Sequence, residues 1–162
     1  MVDRDSVPDV LEITAETDDG IVGIADVPPR PYTYGETQGS VVAVVDTIFA
    51  PALIGKDPLA RNQIQAILKR TIGNHTAKGA IDIALWDIIG KHFNTSVHQL
   101  LGGFTDSVRA SHMLGFEMPT EMVDEALRYR DAYGITSYKV KVGRRPLELD
   151  IDVCVALREA LG

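Results

Sequence analysis

Residues 138–143 read Tyr138-Lys139-Val140-Lys141-Val142-Gly143, an alternation of apolar or aromatic residues with lysine and glycine. A β-strand repeats every two residues. Tyr138, Val140 and Val142 therefore share one face, and Lys139, Lys141 and Gly143 the other. The flanking sequence keeps a different period. Met122, Ala126, Tyr129 and Tyr133 line one side of a helix expected over 121–133, and Gly134 suits the turn that leaves it. Residues 147–161 predict a further helix, and 108–114 an earlier strand. Strands that alternate with helices pair in parallel through right-handed crossovers, which leaves few folds open. Two ammonium groups on one face repel unless water or an acid attends them. Two readings fit the lysines. One is a solvated or edge strand, where lysine discourages stray pairing. The other is a β/α barrel, where residues at the C-terminal ends of strands line the active site and alternate residues pack on helices. That arrangement puts both lysines at the mouth, with Val140 and Val142 beneath the helices.

Composition narrows the partners. A hydrophobic fraction of 45% and a charged fraction of 24% are those of a globular protein. At 162 residues the chain holds one ordinary domain, or a small domain plus part of another. Sixteen basic against twenty-three acidic residues leave a formal charge of −7, and no basic run serves nucleic acid. Cys154 is the single cysteine, so no intrachain disulfide forms, which suits a reducing compartment. Residues 1–9 are polar, without the apolar centre of a signal peptide, and no apolar run reaches membrane-spanning length. The expectation is a soluble cytoplasmic protein with neither nucleic acid nor membrane as partner.

Residues 10–17 and 21–27 predict two strands joined by a turn at Asp18-Asp19-Gly20. The proline-rich 28–35 reads as a loop, and its Tyr32 and Tyr34 suit either a ligand site or a surface connector. Three helical patterns follow. Val41, Val44, Val45, Ile48 and Phe49 form one apolar face, with Ser40 as the expected N-cap. Asp57-Pro58 reads as the start of a second helix, whose apolar face carries Ile64, Ile67, Leu68 and Ile72. The strongest stripe is Ala77, Ala80, Ile81, Ala84, Leu85 and Ile88, with Ile83 and Trp86 expected to widen it. Asp82 and Asp87 on that helix suit capping or hydrogen bonding better than ligation. His75, His92, His98 and His112 have no zinc-site spacing and read as structural or surface residues. A boundary near Gly103 divides an α+β unit over 1–103 from the start of a β/α unit over 104–162.

Several of these stretches, in this order, resemble the mandelate racemase/muconate lactonizing enzyme family of the enolase superfamily. They are Thr17-Asp18-Asp19-Gly20-Ile21-Val22-Gly23, the run from Ala77 to Lys91, Leu100-Leu101-Gly102-Gly103, Lys139-Val140-Lys141-Val142-Gly143, and Leu157-Arg158-Glu159-Ala160-Leu161-Gly162. The resemblance implies an N-terminal capping domain, made of a β-hairpin plus helices. After it come the first two β/α units of a TIM-like barrel. The Lys-x-Lys pattern is similar to that of the muconate cycloisomerase subgroup, which includes dipeptide epimerases and o-succinylbenzoate synthases. The resemblance makes Lys139 and Lys141 the catalytic residues. Lys141 moves a proton at the carbon beside a carboxylate, and Lys139 disfavours the charged form of Lys141 by like-charge repulsion. It implies an isomerase acting on a small carboxylate with Mg2+.

Departures from the family pattern set the remaining expectations. Its metal-binding acids lie on the third, fourth and fifth barrel strands, and a further lysine on the sixth. None of these strands is expected within 1–162, so no metal ligand is assigned. The first strand of the family and the mobile loop after it are not recognisable, and Asp26 stands where a glutamate is usual. Residues 28–36 match a specificity loop of the family, a resemblance that implies Tyr32 or Tyr34 facing substrate in a complete enzyme. The chain thus reads as a truncated member of the family, inactive alone. The alternative is a non-catalytic association module, pairing with itself or with a complementary barrel chain. Leu85→Asp is expected to disrupt the first unit.

Overall fold

A computed structural model of the chain describes residues 10–162, so the reading of residues 1–9 lies outside the described residues. The chain divides into two compact units, one ending at Gly103 and the other spanning Phe104–Gly162.

In the first unit, β1 (Leu11–Glu16) and β2 (Val22–Val27) form an antiparallel hairpin, with Leu11 opposite Val27 and Glu16 opposite Val22. Gly20 takes φ +83° in the turn, and the Thr17 side chain accepts a bond from the Ile21 N–H at 2.9 Å. Along β2, Gly23, Ala25 and Val27 are buried while Ile24 and Asp26 are exposed, the period-two pattern of a half-buried strand. Its buried face lies on the longest helix, α5 (His75–His92), whose Ala77, Ala80, Ile81, Ala84, Leu85 and Ile88 are all buried. The two backbones touch closely. A methyl group on Gly23 would sit 2.1 Å from the Ala84 carbonyl oxygen. Ile83 does not join the stripe and is 57% exposed, because it points about 100° around the helix from Ala84. Trp86 is half-buried, its ring covered by the Arg61 guanidinium at 4.0 Å.

The connecting segments correct several expectations. Within the presumed loop, Pro31–Tyr34 forms a one-turn helix, α1. Proline at its start gives up no helical hydrogen bond, and Gly35, at φ +76°, turns the chain out. Helix α2 (Gln38–Val44) is capped by Thr37 rather than Ser40. Ser40 N–H donates to Thr37 Oγ1 at 3.1 Å and Thr37 N–H donates to Ser40 Oγ at 2.9 Å, a reciprocal box one turn earlier than expected. A π-helical turn over Val45–Phe49 then leads into α3 (Ala50–Leu53), with the Ala50 N–H reaching back to the Val45 carbonyl. The added residue turns Phe49 inward and leaves Ile48 47% exposed. Asp57-Pro58 opens a turn and not the helix itself, because Asp57 accepts from the N–H groups of Leu59 (2.8 Å) and Ala60 (3.1 Å). Helix α4 (Arg61–Leu68) begins after it and buries Ile64 and Leu68, whereas Ile72 lies beyond its end and is fully exposed. A short α6 (Val97–Leu100), capped by Ser96, completes the unit.

In the second unit, β3 (His112–Leu114) pairs in parallel with β4 (Tyr138–Val140), His112 opposite Tyr138 and Leu114 opposite Val140. Helices α7 (Pro119–Tyr133) and α8 (Leu147–Leu161) follow the two strands. Gly134 leaves α7 at φ +68°. Leu114, Met122, Ala126, Val153 and Leu157 make the core, with Tyr138 and Val140 packed on it. Both strands are shorter than the sequence suggests. Residues 108–111 are irregular, with Val108 85% exposed, and Val142 lies beyond the ladder at 61% exposed. The last sheet bond runs from the Lys141 N–H to the Leu114 carbonyl at 3.2 Å, after which Gly143, at φ +119°, turns the chain. Val142 is therefore not in the layer beneath the helices. Tyr133 likewise stays outside the core, at 72% exposed. Among the described residues no helix is long and apolar enough to cross a membrane.

Candidate active site

The two faces of the β3–β4 pair differ in kind. Leu114, Tyr138 and Val140 pack on the helical core, and the Tyr138 hydroxyl lies 2.8 Å from the Ala126 carbonyl of α7. Met113 and Lys139 are opposed in register on the other face, and both are exposed. Lys141 follows Lys139 by two residues, so it shares that open face at the C-terminal end of β4. Its ammonium nitrogen stands 5.7 Å from the centre of the Phe116 ring, within cation–π range. The Arg144 guanidinium lies 5.6 Å from the same ring.

A carboxylate that the pattern reading overlooked organises this end of the sheet. Asp150, in the first turns of α8, has a side chain only 4% exposed. It accepts from the Gly143 N–H at 2.5 Å, the Arg144 N–H at 3.0 Å and Arg144 Nε at 2.7 Å. Arg144 also donates through Nη1 to the Glu117 carbonyl at 2.7 Å. The bond from the Gly143 amide, followed by that from the Arg144 side chain, holds the Asp150 carboxyl below its ordinary value of 3.8. A depressed folded value gives stabilisation that is complete above pH 3.8 and is lost as pH falls through the lowered value. Acid titration of the chain should therefore show a loss of stability beginning below about pH 4 that is shallower in Asp150→Asn. An equal acid loss in the variant would mean that Asp150 does not contribute. The only hint in the sequence is an acid shortly after Gly143-Arg144 at a helix start, a position that suits any carboxylate near free N–H groups.

Asp82 accepts from Arg61 Nη2 and Gln65 Nε2, both at 2.5 Å. Asp87 accepts from the Ile24 N–H at 3.0 Å and Lys91 Nζ at 2.8 Å, tying α5 to β2. Both are structural. His112 bonds Glu125 at 2.7 Å and stacks on Tyr129. Tyr32 is fully exposed and Tyr34 63% exposed. Pattern reading also missed Glu36, buried at 7% exposure, which accepts from the Thr76 N–H at 2.8 Å and from the Thr76 hydroxyl. It caps α5, whose own preceding residue, Asn74, supplies no side-chain cap.

Magnesium requires several oxygen ligands in near-octahedral positions. Among the described residues no group of three or more His, Cys, Asp or Glu side chains is placed to hold a metal ion. The buried carboxylate beside the lysines, Asp150, is already bonded through both oxygens. The residues present do not fit the ion.

Comparison with known proteins gives a consistent picture. The family pattern described as mandelate racemase / muconate lactonizing enzyme, N-terminal domain, matches residues 6–102. N-succinyl-L-Arg/Lys racemase of Bacillus cereus is 35% identical over 96% of this chain and 42% of its own length. Muconate cycloisomerase 1 of Acinetobacter baylyi is 35% identical over 90% of this chain and 41% of its own. A crystal structure of muconate lactonizing enzyme from Mycobacterium smegmatis, complexed with muconolactone, superposes with a TM-score of 0.93 at 54% identity. It covers 96% of this chain and 42% of that one. Dipeptide epimerase of Enterococcus faecalis, complexed with Mg and the dipeptide L-Leu-L-Tyr, gives a TM-score of 0.85 at 32% identity, over 92% of this chain and 42% of that one. The chain thus spans about two-fifths of the length of the curated relatives it matches.

Proposed function

The chain belongs to the mandelate racemase/muconate lactonizing enzyme family, and from that premise we propose that it carries the proton-transfer base of an isomerase- or lyase-type site, Lys141, with Lys139 beside it. Residues 1–103 are the capping domain, and residues 104–162 are the first two strand–helix units of a barrel. The substrate is a small carboxylate with a hydrogen on the adjacent carbon. In the step, the bond from that carbon to hydrogen breaks, the proton forms a bond to Lys141 Nζ in its amine form, and the electron pair spreads toward the carboxylate oxygens. The Lys139 ammonium, on the same face, opposes a positive charge on Lys141 by like-charge repulsion. The observation that supports this reading is the exposure of both lysines on the face of β4 turned away from the helices, with Tyr138 and Val140 packed on the other.

The acids that hold magnesium in this proposal come from outside these 162 residues. Added alone, the chain should show no micromolar magnesium affinity by calorimetry. It should also give no deuterium exchange into an L-Ala-L-Glu dipeptide and no lactone from muconate. Exchange should appear with a complementary barrel chain that supplies acidic strand ends, and fall by about 10²–10⁴ in Lys141→Ala. Exchange indifferent to Lys141→Ala would overturn the assignment of the base. Micromolar magnesium binding by the chain alone would overturn the outside ligands. A lone, exposed Cys154 thiol agrees with the cytoplasm as its compartment.

A non-catalytic association role is the second reading. Leu147, Ile151 and Val155 form an apolar stripe along α8, 50–55% exposed, continuing to Val142. A native mass above that of one chain, together with failure of any complementary chain to restore exchange, would favour it.

A further inference from the structure

With Lys141 as the base proposed above, we propose that Asp150 and Arg144 are its positioning residues, acting through the backbone after β4 and through the Phe116 ring. A lysine ammonium rides on a long flexible stem, and displacement of a base by about 1 Å can cost 10²-fold in rate. The constraints on Lys141 come from three directions. Its own N–H is tied to the Leu114 carbonyl at 3.2 Å. Two residues on, one Asp150 oxygen takes two successive N–H groups, Gly143 at 2.5 Å and Arg144 at 3.0 Å, so the strand exit is pinned on both sides of the lysine. The second Asp150 oxygen takes Arg144 Nε at 2.7 Å, and Arg144 Nη1 reaches the Glu117 carbonyl at 2.7 Å. This joins the exit of β4 to the exit of β3. Phe116, which precedes Glu117, has both cations within cation–π range, with Lys141 Nζ at 5.7 Å and the Arg144 guanidinium at 5.6 Å from its centre.

An ordinary helix-start carboxylate would bond the free N–H groups of its own helix. The bonds of Asp150 go instead to the two residues after the lysine strand. At 4% and 14% exposure, the side chains of Asp150 and Arg144 are too enclosed to meet a substrate. Their effect must pass through Lys141.

The test uses the 162-residue chain, with lysine labelled by 13C at the ε carbon and followed by NMR. The Phe116 ring should displace the Lys141 ε-methylene signal, identified by its loss in Lys141→Arg, from that of Lys139. Phe116→Leu should abolish the offset. Asp150→Asn and Arg144→Gln should each reduce it by at least about half, while the Lys139 signal holds its position. Exchange of the Gly143 and Arg144 amide protons should speed up at least about tenfold in Asp150→Asn. If Asp150→Asn does not fold, Arg144→Gln and Phe116→Leu carry the test, since Arg144→Gln leaves the Asp150 backbone bonds in place. An unmoved Lys141 signal in folded Arg144→Gln and Asp150→Asn overturns the proposal. Failure of the two readings is distinguishable. With the complementary chain present, exchange indifferent to Lys141→Ala sinks the base, whereas exchange lost in Lys141→Ala but unchanged in kcat by Arg144→Gln sinks the positioning role. The expected pattern for Arg144→Gln is a kcat lower by about 10–100-fold with KM held within about twofold.

Discussion

Leu85→Asp should leave the first unit unfolded. Leu85 is 9% exposed on α5, between Ala84, which is fully buried, and Ile88, at 2%. A carboxylate placed there has water on almost no side, and a buried unpaired charge costs about 3–5 kcal/mol or more. That is a large part of the roughly 5–15 kcal/mol that holds a domain together. Circular dichroism should lose the corresponding helical signal, and urea unfolding should lose the transition assigned to this unit. A soluble variant with an unchanged midpoint would show that the stripe is not core.

Gly23→Ala should be nearly as damaging, although it adds only a methyl group. The new carbon would lie 2.1 Å from the Ala84 carbonyl oxygen and 2.7 Å from Ile88 Cγ1. A Cβ has no rotamer by which to move away, and the main obstacle is backbone, so β2 must lift from α5. Overpacking of a core usually costs about 1–3 kcal/mol, occasionally more, and a backbone obstacle places this case at the upper end. At about 4–8 °C per kcal/mol for a unit of this size, the thermal midpoint should fall by at least about 10 °C. Gly20→Ala is the contrast, since Gly20 has open space around it and only its φ of +83° to object. Equal midpoints for wild type and Gly23→Ala would mean that the contact is looser than the geometry indicates.

The contrast between these two glycines shows what pattern reading reaches. The α5 stripe was legible because a buried helical face repeats at fixed spacing, and the hairpin because its strands alternate around a turn sequence. Parallel pairing of β3 with β4 followed from helices placed between strands. Phe49 was legible as a core residue, but Ile48 was not legible in its true role, since a π-turn changes the period without marking the sequence. The same holds for Thr37 and Ser40. Each is a competent cap, and the difference lies in which residue the chain reaches first. Gly23 reads as a small residue in a strand, and only the nearness of Ala84 shows why nothing larger fits.

The site divides along the same line. Lys139 and Lys141 could be assigned a shared face from alternation alone, and they occupy the open one. Asp150 and Glu36 could not be found, because their importance lies in partners 6–7 and 40 residues away that no period connects. Val142 was misplaced because alternation says nothing about where a ladder stops, and here it stops at the Lys141 N–H.

The π-turn at Val45–Phe49 also bears on how this chain can change in length. Val44 and Phe49 are both buried, five residues apart, whereas an unbroken α-helix would bring residues four apart to one face. Asp46, Thr47 and Ile48 between them are exposed. The segment therefore holds one residue more than a regular helix needs to join the same two anchors. Loss of one exposed residue there would restore ordinary α-helical bonding while keeping Val44 and Phe49 on a common side. Such a turn is a place where the helix can lose a residue without turning its buried face, whereas a length change elsewhere would rotate every following side chain by about 100°.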